Sequence, residues 1–563
     1  MSIRHREWMP VAGSTLLRVV LFACVFSVFT KVLGKLSGIG TTAGFFRIEL
    51  PLLAASYVAG YFLLRDSRAR SYIAALPLIT IYVAHDLYYS WYGNVFRLAD
   101  VAELPELLEV LSIGEMAFYS TILVVPLLLF VAFVQPVKVL LTAALAISLW
   151  VVPAAERGFS AAVLGSVKRL GNLTEWSDQR SARDTGRLTL LLYHEAQRRS
   201  ITRELASFRG DPQYRDLIQR RGASLSSPGA RRNVHFIVLE SFLDPTLLHN
   251  VRYSQSPVHP DFAALFNGRQ GMAVSSVFGG KSCQAEFEAL CGVPAFGHVA
   301  STEFSVLTGR GVKCLPALLR EAGYETMASN AFKPDFFNTA TAYRSLGFNK
   351  IYFPAEYAQN RETYLTTGDV TEEEFLFDGD LLRQNLARVS AELQRGQAPL
   401  FNYVLGIYGH NPHRVNTKLR PEVIQVFGGG GAQARLTSYV NQYYYRTAAA
   451  AWYVRELRTL DPHSLILIMS DHLPPLAVGP NGYHELGYMS GTGTVFHNRL
   501  YVLESGVPRQ YLDLNHYDLP DLVLNYLTET QHCTLNPCNL NGGGRSRESY
   551  FAAYLGLLAE ELR

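Results

Sequence analysis

The chain has 563 residues, 48% hydrophobic and 18% charged, with a formal net charge of +3. That mixture is too apolar for an ordinary soluble enzyme and too polar for a protein built only of membrane spans. The small net charge, with no Lys/Arg-rich run interleaved with aromatics, argues against a nucleic-acid surface.

The apolar excess lies at the front. Runs near 14–33, 44–64, 72–92, 115–135 and 137–154 reach or approach the roughly 20 residues that cross a bilayer. Arg4 and Arg6 precede the first run and four more follow it, so it reads as an anchor and not a cleaved signal peptide. Arg65, Arg68, Arg70 and Lys138 mark cytoplasmic loops, whereas Asp100, Glu103, Glu106 and Glu109 make the 93–114 loop acidic and external. The expectation is a five-helix transmembrane domain over 1–154, with everything after it on the outer side. Glu49 with Arg47, and His85 with Asp86, lie in or beside these runs; such groups are either functional or hold helices together.

Residues 155–230 are rich in Arg, Gln and Glu, and "GRLTLLLYHEAQRRSITRELASF" has helical patterning, so this part reads as a juxtamembrane helical linker whose one or two amphipathic helices lie near the membrane surface or pack on the outer domain. From 231 to 563 the pattern alternates. Apolar runs "NVHFIVLE" (233–240), "FNYVLGIYG" (401–409), "SLILIMSD" (464–471) and "RLYVLES" (499–505) are separated by helical stretches such as "DGDLLRQNLARVSAELQRG". Continuous apolar strands between helices predict an α/β domain with a mainly parallel central sheet.

In such a sheet, chemistry collects beyond the carboxyl ends of the strands. Glu240 ends the first run, Asp471 and His472 end the third, and His410 follows "FNYVLGIYG" directly. Singly, each reads as a capping or surface residue. Together they suit one divalent metal, Mn2+ first, with Zn2+ or Mg2+ as alternatives.

The stretch "GGKSCQAEFEALCG" (279–292) adds a nucleophile candidate. Ser282 follows Gly279, Gly280 and Lys281 and opens a helix that Gly292 closes. A helix start offers free N–H groups to a phosphate or sulfate. The competing reading makes Ser282 an ordinary N-cap; the metal set tips the balance to a nucleophile. Cys283 lacks the Cys-x-Pro-x-Arg context that formylglycine maturation needs, because Gln284, Ala285 and Glu286 follow it, so it is expected to pack along the helix. In an oxidising compartment Cys533 with Cys538, and Cys291 with Cys314, are disulfide candidates. His484 and His497, downstream of the Asp-His pair, are candidates for a supporting role.

The apolar N-terminus followed by "VLESF" (238–242), "GGKSCQAEF" (279–287), "YGHNP" (408–412) and "SDH" (470–472) resembles the lipoteichoic acid synthase-like phosphoglycerol transferases. These are membrane-anchored members of the alkaline phosphatase/sulfatase superfamily, which also holds phosphoethanolamine transferases. The resemblance implies metal ligands at Glu240, Ser282, Asp471 and His472, with Ser282 as the nucleophile and His410 on the substrate phosphate. It also implies a bacterial cytoplasmic membrane with the catalytic domain on its periplasmic or extracellular side. The donor would be a phospholipid, phosphatidylglycerol foremost, and the acceptor a glycan or glycolipid. The chain departs from the family in "FFNTATAYRSLGF" (336–348): Phe337 and Asn338 keep part of a glycerol-phosphate segment, but Thr339 stands where an arginine is expected. The loss of a bidentate phosphate clamp keeps phosphoethanolamine transfer open. Lys333 is the nearby cation that could substitute, and Lys281, adjacent to the serine, is a further substrate-binding candidate. Simple phosphate or sulfate ester hydrolysis, and a catalytically inactive binding protein on the same scaffold, are the other expectations.

Overall fold

A computed structural model describes residues 9–92, 95–138, 153–171, 173, 178–207, 212–225, 232–300, 302–357, 365–396, 398–476, 479–536, 538–540 and 546–562. The chain divides into two compact units, Met1–Thr202 and Arg203–Arg563.

In the first unit, helices Met9–Ser37, Glu49–Leu63, Arg70–Tyr92, Ile113–Tyr119 and Val125–Ala132 occupy four of the five apolar runs. Among the described residues, Leu16–Ser37 and Ile113–Ala132 are long and apolar enough to cross a membrane; Glu49–Leu63 is apolar but shorter. The fifth run falls almost wholly outside the described residues, so two spans are visible where five were expected. Phe22, Phe26, Leu53, Tyr57 and Tyr82 form the core, joined by Leu188 and Leu191 of the helix Arg187–Ser207.

That last contact changes the expected organisation. Residues 155–230 are not a separate linker, because their first part packs into the N-terminal unit. The Glu49 carboxylate accepts the main-chain N–H groups of Leu188 and Thr189, both at 2.8 Å. It thereby satisfies orphan donors at a helix N-terminus. Arg187 makes a bidentate pair with Asp86, 3.0 Å from Nε to Oδ1 and 3.0 Å from Nη2 to Oδ2, and its Nη1 donates to the Gly40 carbonyl. Glu49 and Asp86, two of the ionisable residues noted in the spans, therefore tie elements of this unit together. The rest of the expected linker belongs to the second unit. There the helix Pro212–Leu225 places Arg221 against the Cys291 and Gly292 carbonyls, at 3.0 and 3.3 Å.

The second unit is built on a nine-stranded sheet. Its strands in chain order are β1 (Val234–Leu239), β3 (Gly271–Val274), β4 (Glu325–Asn330), β5 (Lys350–Tyr352), β6 (Leu400–Leu405), β8 (Leu465–Ser470), β9 (His497–Glu504), β10 (Val507–Arg509) and β11 (Leu514–Asn515). Two short strands, β2 (Arg252–Tyr253) and β7 (Val426–Phe427), pair separately. The sheet order is β11-β3-β9-β8-β1-β6-β4-β5, with β10 beside β9. The block β8-β1-β6-β4-β5 is parallel. β9 runs antiparallel to both β8 and β3, so "RLYVLES" supplies a reversed strand to a mixed, mostly parallel sheet. Every residue of β1, β6 and β8 is buried, as strands covered on both faces must be. The long helix Gln433–Leu460 contributes Tyr443, Tyr453 and Leu457 to the same core as Ile237, Leu239 and Ile466.

Candidate active site

β8, β1 and β6 are parallel neighbours, so their carboxyl ends emerge side by side. Glu240 follows β1, Asp471 and His472 follow β8, and His410 lies five residues past the end of β6. Residues more than 200 positions apart are thus delivered to one edge.

The serine arrives from another direction. After β3 the chain turns through Gly279 (φ 73°) and Lys281 (φ 63°) into the helix Ser282–Cys291, which ends at Gly292 (φ 67°). Lys281 occupies the N-cap position with a left-handed backbone and no capping bond from its side chain, so Ser282 is the first helical residue and not the cap. The Gly279 N–H donates to the Leu473 carbonyl at 3.0 Å, and the Ser275 hydroxyl donates to the Asp471 carbonyl at 2.6 Å. These two bonds lash the serine turn to the Asp-His turn.

The result is a tight cluster. The Ser282 hydroxyl donates to Glu240 Oε2 at 2.9 Å and lies 3.4 Å from His472 Nε2. His472 Nε2 is 3.4 Å from Glu240 Oε1 and 3.3 Å from Asp471 Oδ2. Ligand atoms of Glu240, Asp471 and His472 all fall within 4.8 Å of one another, and all three residues are buried. His472 Nδ1 sits 3.1 Å from the Leu473 carbonyl, to which it donates, leaving Nε2 as a lone-pair donor towards the cluster. Asp471 Oδ1 accepts the N–H groups of Ser241 and His472, both at 2.7 Å, whereas its buried Oδ2 receives no hydrogen bond. Burial, and then the charge of Glu240, push the Asp471 carboxyl up to about 6. Two crowded carboxylates, an imidazole lone pair and a hydroxyl leave an orphaned buried oxygen that a divalent cation would satisfy. The residue set fits such an ion.

His410 is half-buried against the Phe375 ring, 5.3 Å between centroids, and desolvation lowers its pKa below the ordinary histidine value. Its Nδ1 lies 2.8 Å from the Asn411 carbonyl and donates to it, so the neutral ring keeps Nε2 as an acceptor.

The remaining residues named from sequence are more scattered. Asn338 gives both amide hydrogens to main chain, at 2.8 Å to each of the Phe304 and Leu307 carbonyls, so its donors fix a turn and are not available to substrate. Phe337 stacks edge-on to Phe336 at 4.6 Å, and the Thr339 hydroxyl donates to the Phe336 carbonyl at 2.6 Å. Lys333 lies over the Phe332 ring at 5.6 Å, and Lys281 is half-buried beside Ser282. His484 is exposed on the helix Gly479–Glu485. His497 accepts from Thr494 and faces Asp513 at 3.9 Å, contacts that do not reach the carboxylate cluster. Cys283 is buried and belongs to neither disulfide. Cys291 is bonded to Cys314 and Cys533 to Cys538.

Several residues around the site carried no sequence signal. Glu286, one turn beyond Ser282, accepts from the Tyr343 and Tyr403 hydroxyls at 2.5 and 2.9 Å, and burial pushes it up to about 8. Asp378 and Arg446 form a fully buried pair at 2.6 Å. His516 is fully buried with neither ring nitrogen hydrogen-bonded. Each sits inside an ordinary helical or turn pattern, where only spatial neighbours mark it out.

Residues 232–498 match the family described as Sulfatase, and this part of the chain is a sulfatase-family domain. Solved structures of similar fold include the lipoteichoic acid synthase LtaP of Listeria monocytogenes, at 16% identity over 55% of this chain and 78% of that one, TM-score 0.43. The Streptococcus pyogenes phosphoglycerol transferase GacH in complex with sn-glycerol-1-phosphate matches at 16% identity over 65% of this chain and 92% of that one, TM-score 0.46. The C-terminal periplasmic domain of Escherichia coli EcEptC matches at 13% identity over 57% and 89%, TM-score 0.36. No curated protein matches the chain.

Proposed function

We propose that the chain is a metal-dependent phosphoglycerol transferase working at the outer face of a bacterial cytoplasmic membrane. The reading rests on one observation: the Ser282 hydroxyl stands at a helix N-terminus, 2.9 Å from Glu240 Oε2 and 3.4 Å from His472 Nε2. Glu240, Ser282, Asp471 and His472 would hold one divalent ion, Mn2+ before Zn2+ or Mg2+. When bound, such an ion supplies positive charge that lowers the pKa of a neighbouring hydroxyl and offsets charge on phosphoryl oxygens.

Ser282 Oγ attacks the phosphorus of phosphatidylglycerol. The Oγ–P bond forms as the bond from phosphorus to the diacylglycerol oxygen breaks, and the serine proton, directed in the resting site at Glu240 Oε2, ends on the departing diacylglycerol. A glycan or glycolipid hydroxyl then attacks the same phosphorus; the Ser282–phosphorus bond breaks, and the acceptor's proton, passed on by His410, ends on the Ser282 oxygen. His410, neutral with Nε2 free to accept, takes the acceptor's proton in this second step. The N-terminal end of the helix Ser282–Cys291, with the positive potential of its aligned peptide dipoles, would lie beside the transferred phosphate. Apolar N-terminal helices suit a donor and a leaving group that both reside in the bilayer.

Phosphoethanolamine transfer is the second reading. Its support is Thr339, whose hydroxyl is turned onto its own backbone and brings no cation where a glycerol-phosphate clamp is expected. The test is turnover of fluorescent phosphatidylglycerol and phosphatidylethanolamine by the full-length protein in detergent with Mn2+. Diacylglycerol release from the first, lost in Ser282→Ala, is expected. Unchanged release by Ser282→Ala would refute the serine mechanism, and release from the second lipid alone would move the assignment to phosphoethanolamine.

A further inference from the structure

The helix Gln433–Leu460 presents one face to the strand ends, and its side chains at 439, 442 and 446 follow the i, i+3, i+7 spacing of a single stripe. All three are polar and buried, and each reaches at least one main-chain carbonyl. The Tyr439 hydroxyl reaches the Ser241 and Leu243 carbonyls at 2.8 and 2.9 Å. Gln442 Nε2 donates to the Tyr408 carbonyl at 2.7 Å. Arg446 Nη2 donates to the carbonyl of Glu240 itself at 2.7 Å, while its Nε is held by Asp378 at 2.6 Å. The two turns gripped are the one that carries Glu240 and the one that leads into His410.

At Arg446 these turns also meet each other. A Cβ added to Gly409, the residue before His410, would overlap both the Glu240 carbonyl oxygen and Arg446 Nη1. The guanidinium also lies over the Phe242 ring, 5.0 Å to its centroid, just past the same turn. A fully buried ion pair is a costly way to fill a core, since apolar residues of similar volume are commonly neutral or better for stability. A planar fork that binds a carboxylate on one edge and a carbonyl on the other does what no apolar side chain can, which is to fix a direction.

We infer that Arg446, anchored by Asp378, is a positioning residue that sets the Glu240 turn against the His410 turn and so fixes the metal-ligating carboxylate. This rests on the reading of Glu240 as a ligand. Loss of an outer partner that orients a ligand typically weakens metal binding by roughly 10- to 100-fold.

The experiment is Mn2+ titration of full-length protein in detergent, followed by electron paramagnetic resonance of free Mn2+, with melting temperature measured in parallel. Arg446→Lys keeps the charge but loses the fork, and its Mn2+ dissociation constant should rise at least about tenfold. Replacing both partners, Arg446→Met with Asp378→Asn, removes the unpaired charge. That pair should regain melting temperature relative to Arg446→Met alone, yet still bind Mn2+ weakly. Tyr439→Phe deletes one hydroxyl and should move the affinity the same way by a smaller factor. Wild-type affinity in the paired variant overturns the inference. If the Arg446 variants do not fold, Tyr439→Phe decides, and unchanged affinity there also overturns it. Glu240→Gln separates the two layers: undiminished Mn2+ binding in that variant sinks the ligand assignment itself, whereas weakened binding there beside normal binding in the Arg446 series sinks only the positioning role.

Discussion

Glu286 offers a measurement that probes the nucleophile helix without touching the nucleophile. Its carboxyl is buried one turn beyond Ser282, takes hydrogen bonds from Tyr343 and Tyr403, and has its pKa pushed by burial from 4.5 to about 8. In the folded protein at pH 7 it is mostly protonated; in the unfolded chain it is ionised. Unfolding therefore releases a proton, the unfolded state binds fewer protons, and stability falls as pH rises from the unfolded value through the folded one. A displacement from 4.5 to about 8 corresponds to a ceiling of about 5 kcal/mol, fully present below pH 4.5, about 3 kcal/mol of it gone by pH 7 and nearly all by pH 9. Glu286→Gln substitutes a neutral near-isostere. At pH 5 the two proteins should differ by about 1 kcal/mol, the scale of one altered hydrogen bond. By pH 9 the variant should be the more stable by several kcal/mol. The assay is thermal unfolding of both proteins at saturating Mn2+ from pH 5 to 9. Titrating groups that do not interact with Glu286 are common to both and cancel in the difference, and the saturating Mn2+ offsets the charges of Asp471 and Glu240, which do interact with it. A gap between the two melting curves that stays constant across this range would refute the assignment of Glu286 as a neutral buried acid.

Two further outcomes are expected. Arg187 and Asp86 are both buried, so removing one partner, as in Arg187→Met, leaves an unpaired charge and should cost about 3–5 kcal/mol. The double variant Arg187→Met with Asp86→Asn should recover part of that loss, read as detergent-solubilised yield and melting temperature. Cys291 and Cys314 close a loop spanning 23 residues, and Cys291→Ser should cost about 3 kcal/mol by loop entropy. Cys533→Ser, opening a loop that spans 5 residues, should cost less under the same non-reducing conditions.

Much of the architecture was legible because strand and helix periods are local properties. The four apolar runs singled out for the second unit correspond to β1, β6, β8 and β9, and the acids and histidines at their ends mark the edge where the site forms. The direction of β9 was not legible, since an apolar strand buried on both faces reads the same whichever way it runs. The packing of the first part of 155–230 into the N-terminal unit was not legible for a related reason. A helix of mixed polarity says nothing of its partner, and Leu188 and Leu191 are core residues only because the N-terminal helices cover them. Asn338 read as a substrate ligand because the resemblance places it in a glycerol-phosphate segment; its donors are spent on the Phe304 and Leu307 carbonyls.

The order of residues along the chain by itself determined which groups stand at strand ends and which serine opens a glycine-led helix, because capping, turn chemistry and apolar runs depend on near neighbours alone. Only the tertiary structure decided that the Ser282 hydroxyl points at Glu240 rather than capping its own helix, and that Arg446 braces the Glu240 carbonyl from a helix about 200 residues further on. The physical reason is range. A hydrogen bond or a metal ligand set is specified to within tenths of an ångström, and that precision belongs to the packed interior, where distant segments hold one another in place.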